Sequence, residues 1–174
     1  DDVFIGGMYT DKSAKALAAE IIGGAFDLTI DAADTQVTGY IPEGTRRDAL
    51  QQLLFVWGVC ASTTGVTGVH IYSPGTELTD VGAGRTYTGP TVETAAITTS
   101  VQVTAHQYTV DTSGDIEVGD QKYKDTTTVY TVTNPNVTAN TKANVVQITD
   151  ATLVSPAVGQ AVAQRVYDYY ARRK

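Results

Sequence analysis

The chain of 174 residues carries a formal net charge of -7 and a sequence pI of about 4.6, with 42% hydrophobic residues. That length and apolar content suffice for one domain or two small ones, and the acidity argues against nucleic acid or an anionic membrane surface as the main partner. A lone cysteine, Cys60, excludes an internal disulfide framework and a cysteine-based zinc site, and no apolar run reaches the ~18 residues of a membrane-spanning helix.

The chain opens Asp1-Asp2-Val3 and its one methionine is Met8, which reads as a segment of a longer or processed protein; it shows no signal-peptide pattern. Val3-Phe4-Ile5 reads as a short strand closed by Gly6-Gly7. Thr10 or Asp11 then caps a helix over about 12–22, with Ala14, Leu17, Ala18, Ile21 and Ile22 as its buried stripe. Gly23-Gly24 stops it, one glycine taking the left-handed position after the helix. Residues 26–30 and 36–41 alternate with period two and read as half-buried strands around a turn at 31–34.

Pro42 and Gly44 end the second of these strands. Thr45 stands where a helix N-cap belongs, with Asp48 three residues on to favour the free N–H groups of the first turn. The helix runs over about 46–59, with Ala49, Leu50, Leu53, Leu54 and Trp57 on one face. Residues 61–72 then form one or two strands around glycine turns. The order β-α-β-β-α-β predicts a two-layer unit over 1–75, its helices covering one face of a small sheet.

After Tyr72 the texture changes. Ser73-Pro74-Gly75 and Gly82-Ala83-Gly84 bracket a loop, and residues 85–90 form a short strand ended by Gly89-Pro90. Over 97–110, Val101, Val103 and Ala105, and by extension Gln107, point one way, while His106 and Tyr108 point the other. A turn at 111–115 follows, then a strand from Thr126 to Thr133 stopped at Asn134-Pro135. Residues 144–148 and 151–154 suggest a hairpin about Thr149-Asp150, so an antiparallel sheet is the economical reading. Ser155 as N-cap and Pro156 at the first helical position start a last helix over about 156–172. Its stripe is Val158, Val162, Val166 and Tyr169 or Tyr170, and it docks on one of the sheets. Arg172-Arg173-Lys174 suits the negative end of that helix. The predicted fold class is therefore α+β: a two-layer domain over 1–75 and an antiparallel β-rich domain over 76–174, closed by the last helix.

Residues capable of chemistry are scattered. Cys60 ends an apolar helix and reads as a buried thiol acting as a small hydrophobe; nothing in the sequence links His70 or His106 to it as a base. The two histidines fall in separate strands without the neighbouring ligands a metal needs. Asp111, Ser113, Asp115, Glu117 and Asp120 superficially resemble a calcium loop but lack its central glycine and its twelfth-position glutamate. Glu43, Glu77, Glu93 and Glu117 sit in no glycosidase motif. No Gly-x-Ser-x-Gly occurs, and the glycine pairs are followed by no Gly-Lys-Ser/Thr. Tyr167, Tyr169 and Tyr170 cluster on the last helix and read as a docking seam more than as a ligand platform. No catalytic, cofactor-binding or metal-binding residue is assigned, and no cofactor is called for.

About one residue in six is threonine, and a polar surface of Thr, Gln, Asn and Asp is common in β-rich extracellular or virion-type proteins. Several segments recur in order: residues 45–53 leading to Val69-His70-Ile71-Tyr72, the strand 100–108, Val132-Thr133-Asn134-Pro135, and Tyr167-Asp168-Tyr169-Tyr170-Ala171-Arg172-Arg173. Over residues 40–174 this succession resembles a middle section of phage tail proteins from prophages of Gram-positive gut bacteria, similar to baseplate or tail hub proteins. Trp57-Gly58-Val59-Cys60 departs from the smaller apolar run usual there. The resemblance implies a non-enzymatic virion component, made in the bacterial cytoplasm, that self-associates in a ring, often a trimer, beside the tail tube and a spike or lysin. It supplies no catalytic residue. The alternative function is a cell-surface module that binds cell-wall glycan through tyrosines; a hydrolase working through acidic residues is a weaker third.

Overall fold

The computed structural model describes residues 2–75, 96–113 and 123–171. In chain order these form β1 (Val3–Phe4), β2 (Gly7–Ser13), α1 (Ala14–Ile22), a 3-10 turn (Gly23–Ala25), β3 (Asp27–Ile30), β4 (Gln36–Ile41), β5 (Gly44–Thr45), α2 (Arg46–Trp57), β6 (Cys60–Thr64) and β7 (Gly68–Tyr72). There follow β8 (Ser100–Val110), β9 (Tyr123–Thr133), β10 (Val145–Ala151) and α3 (Gly159–Ala171). The class is α+β, as the sequence predicts.

All five residues of the expected α1 stripe, Ala14, Leu17, Ala18, Ile21 and Ile22, are buried. The helix starts later than predicted, because the chain up to Ser13 is taken into β2, which pairs antiparallel with β4. Ser13 is therefore the cap: its Oγ accepts from the Ala16 N–H at 3.2 Å and donates to Asp34 Oδ2 at 2.7 Å. Asp34 Oδ1 accepts from the Lys15 N–H at 3.1 Å, so one carboxylate also satisfies a free donor of the first turn. Its carboxyl is held below the usual range, first by the Ser13 hydroxyl and then by the Lys15 amide.

The pairing of β2 with β4 has a second effect. The strands over 1–75 do not share one sheet under two helices, as expected, but form three: β1 with β5, β2 with β4, and β3-β7-β6. With β4 engaged by β2, β3 instead lies parallel to β7, which pairs antiparallel with β6.

α2 begins as predicted. Thr45 Oγ1 accepts from the Asp48 N–H at 3.1 Å and donates to Asp48 Oδ2 at 2.7 Å. Ala49, Leu53, Val56 and Trp57 are its buried residues, and Trp57 Nε1 donates to the Ala33 carbonyl at 2.8 Å. Leu50 and Leu54, expected on the same face, are only half-buried. The helix ends two residues early, at Gly58, whose left-handed conformation (φ 78°, ψ 34°) lets its N–H close on the Leu54 carbonyl at 2.8 Å. That reversal carries Cys60 out of the helix and into β6, where it is exposed. The expected buried thiol is thus corrected.

Sheet order in the second part is β10-β8-β9, with β8 antiparallel to β9 over its full length. Val101, Val103 and Ala105 of β8 are fully buried under α3, which lies on β8 and β9. The hairpin expected about Thr149-Asp150 does not form. Residues 145–151 are one strand, parallel to β8, with a register shift between Ile148 and Ala151. The cause is the connection over 134–144, which stays at the end of the sheet where β9 finishes and β8 starts. There Asn134 N–H donates to the Thr99 carbonyl at 2.9 Å, and Thr99 N–H donates to the Asn144 carbonyl at 2.9 Å. The chain is thereby delivered to the far edge of β8 running in β8's own direction. Asn134, 2% exposed, is satisfied within this turn: its Nδ2 donates to the Thr98 carbonyl, and its side-chain oxygen accepts from the Asn136 N–H.

α3 starts three residues later than predicted, at Gly159, because residues 156–158 form a turn in which the Ser155 carbonyl accepts from the Val158 and Gly159 N–H groups at 3.1 and 3.0 Å. Val162 is buried, with Val166 and Tyr167 packed against the core, but Tyr169 (56% exposed) and Tyr170 (36%) are outside it. The predicted stripe therefore ends before these two tyrosines.

Buried side chains from both parts of the chain pack in one cluster, from Leu17, Leu53 and Ile71 to Val101, Leu153 and Val162. The parts meet where Tyr40 N–H donates to the Thr152 carbonyl at 3.0 Å. A side chain at Gly39 (φ 155°) would run into that same carbonyl, so the close approach of β4 requires glycine there. On the other side, Arg165 of α3 donates from Nη2 to the carbonyls of Phe55 and Val56 at 2.7 and 3.0 Å, in the last turn of α2.

Candidate functional site

A polar and aromatic grouping lies across β8, β9, β10 and β4. The strand alternation sends His106 and Tyr108 to the side opposite Val101 and Val103, as the sequence predicts. His106 Nδ1 lies 2.7 Å from Asp125 Oδ2 on β9, and its Nε2 lies 2.9 Å from the Thr149 carbonyl on β10. Both ring nitrogens thus face acceptors, an arrangement only a doubly protonated ring fully satisfies. The Asp125 carboxylate accordingly raises the His106 pKa above its usual value, against an opposing effect of burial. When protonated, the ring clasps all three strands of its sheet.

Aromatic rings gather beside this clasp. Tyr108 stacks near the imidazole (centroids 6.3 Å apart, 17° between planes), and Tyr40 of β4 lies 5.0 Å from Tyr108 and 6.2 Å from Tyr123. Burial, then the Asp125 charge, raises the Tyr108 pKa. On β2, Tyr9 is pushed up to about 12 by burial and by Glu20, to which its hydroxyl donates at 3.3 Å.

The other candidates are dispersed. His70 Nε2 sits 2.7 Å from Asp31 Oδ2 on the β3-β7-β6 sheet, with Tyr72 against its ring at 5.2 Å. Among the described residues no group of three or more His, Cys, Asp or Glu is placed to hold a metal ion. Of the superficial calcium loop, Asp111 accepts from the Ser113 N–H and hydroxyl at 3.0 and 2.6 Å, a local turn. Asp115, Glu117 and Asp120 lie outside the described residues, as do Glu77 and Glu93, the strand expected over 85–90 and the basic run 172–174. Glu43 is exposed in the turn before α2. Sequence reasoning missed the partners of both histidines, since Asp31, just past the end of β3, and Asp125, on β9, lie 39 and 19 residues away.

No protein-family model matches the chain, and no curated protein matches it. Among solved structures it is similar to the 43 kDa tail protein of prophage MuSo2 from Shewanella oneidensis, at a TM-score of 0.45 and 12% sequence identity, over 96% of this chain and 48% of that one. The chain spans about half the length of that tail protein.

Proposed function

We propose that this protein is a non-enzymatic structural module of a phage or prophage tail, a component of the virion's baseplate or tail-tip hub that acts by protein–protein assembly. The ordered segments over 40–174 that resemble tail hub proteins support this reading. The observation that carries it is β9, which among the described residues is the edge strand of its sheet. Its register against β8 runs unbroken from Tyr123 to Thr133, without a bulge, and it contains no proline. Its two charged residues, Lys124 and Asp125, both stand at its start, and Val129 is 55% exposed. Gln160 Nε2 reaches one of its carbonyls, at Thr131, at 3.3 Å. Soluble monomers generally blunt such edges with charge, proline or a bulge, because an open one templates pairing with another chain. Here the edge supports a strand-to-strand contact with a neighbouring subunit, in a ring of copies of this chain or with another tail protein.

Residues 1–75 and 76–174 are two units in this proposal, since among the described residues each sheet takes its strands from one side of that boundary. The test is assembly. Multi-angle light scattering and negative-stain microscopy should reveal a ring-forming oligomer, and the protein should co-purify with tail particles. Val129→Lys, which places a charge on the edge, should abolish the oligomer while leaving the unfolding transition in place. A monomer at every concentration, absent from tail particles, would refute the reading.

A further inference from the structure

Among the described residues two buried polar atoms have no hydrogen-bond partner, Gln107 Nε2 and Thr152 Oγ1. They come from separate segments, one on β8 and one after β10, yet both residues line the same cavity. Native proteins rarely leave such atoms unmatched, and each one left so is costly. The cavity, about 190 Å³, lies between the β2-β4 pair and β8, under the segment that leads into α3. It could hold about six water molecules at their liquid volume, which is also the bulk of one pyranose ring with its substituents.

The lining narrows the chemistry. It includes no Asp, Glu, Lys or Arg among the described residues, and its one imidazole, His106, is already paired with Asp125, so an ionic ligand would meet no free countercharge. The imidazole of His106 reaches the wall, but both its nitrogens are already engaged. Tyr9 and Tyr108 supply aromatic surface, while the Thr38 hydroxyl in the lining is already engaged with Asp11. An amide N–H₂ that needs acceptors, a hydroxyl that can donate or accept, and aromatic faces suited to C–H groups describe a site for a neutral, hydroxyl-rich ring.

We propose that this cavity binds one neutral saccharide unit, free or at the end of a glycan, with Gln107 and Thr152 hydrogen-bonding its hydroxyl or amide oxygens. The site is independent of the assembly reading and uses none of the tyrosines of α3. Pairing of two otherwise unmatched atoms is its source of affinity, so binding is weak but selective for uncharged rings.

Saturation-transfer NMR and calorimetry on the full chain test this with glucose, galactose and N-acetylglucosamine, with glucuronate and glucosamine as charged controls and a soluble cell-wall glycan fragment as a polymeric arm. The neutral sugars should bind in the millimolar range and the charged ones not. Saturation by the monosaccharides as well as by the fragment assigns the site to a single ring; binding of the fragment alone would overturn the single-ring assignment. Gln107→Leu and Thr152→Val should each weaken binding about tenfold, while Gln147→Leu, a residue of β10 that does not line the cavity, leaves it unchanged. Without sugar, neither cavity variant should lose stability, because each removes an unpaired polar atom. If no neutral sugar binds at tens of millimolar, or if a high-resolution structure with sugar present contains only ordered water against Gln107 and Thr152, the proposal fails. Failure there leaves the oligomer and tail-particle measurements untouched.

Discussion

His106 shows how one side chain can couple a sheet to pH. With a carboxylate at one nitrogen and a carbonyl at the other, losing a proton turns one hydrogen bond into a contact between lone pairs. The folded-state pKa is raised, so the clasp contributes its full stability below the ordinary histidine pKa of about 6.5 and loses it as pH rises through the raised value. Thermal unfolding from pH 5.5 upward should therefore show a midpoint that falls on the alkaline side, and His106→Gln should flatten that dependence. For a chain of this length each kcal/mol corresponds to about 2–4 °C. The strand position and facing of His106 were legible from the alternation over 97–110. Its partners were not, because nothing local records that β9 and β10 flank β8. At Cys60 the signal was present but outweighed: Gly58 is a good left-handed stop, while the apolar texture of Phe55-Val56-Trp57-Gly58-Val59-Cys60 suggested continuation.

Among elements, legibility followed the range of the interactions that define each boundary. The start of α2 is written in two residues three apart, Thr45 and Asp48, and the structure shows the reciprocal bonds they make. Thr45→Ala should cost about 1 kcal/mol in urea unfolding, and Thr45→Ser should be close to neutral. The start of α1 was misplaced because its boundary is set by β4, more than twenty residues away, which draws the preceding segment into a strand. The failed hairpin has a similar origin. Thr149-Asp150 looks like a turn locally, but the Thr99–Asn144 bonds at the other end of the sheet fix the direction of β10 and leave those residues at a register shift. Local chemistry specified where elements could begin; long-range pairing chose among the alternatives.

At the scale of the molecule, helix ends are closed from a distance. Neither α1 nor α2 carries a basic residue in its own last turn. Arg46, at the start of α2, donates to the Ile21 and Glu20 carbonyls at the end of α1, and Arg165 serves the end of α2 from α3. A cation at the negative end of a helix is favourable, and the planar guanidinium can reach two carbonyls at once. Arg165→Met should cost about 2–3 kcal/mol, as expected for bonds to a charged donor. Arg165→Lys should recover only part of it, and amide exchange should accelerate first in the segment after Trp57, where Gly58 sits beneath the guanidinium.

That last contact imposes an order on biosynthesis. The carbonyls of Phe55 and Val56 receive Arg165 only after 110 and 109 further residues, respectively, have been translated. A nascent chain halted anywhere before α3 must leave the tail of α2 to water. Completion of the final helix is thus felt at the first half's surface, and a ribosome-bound intermediate should be most open to protease just past Trp57 until that helix emerges.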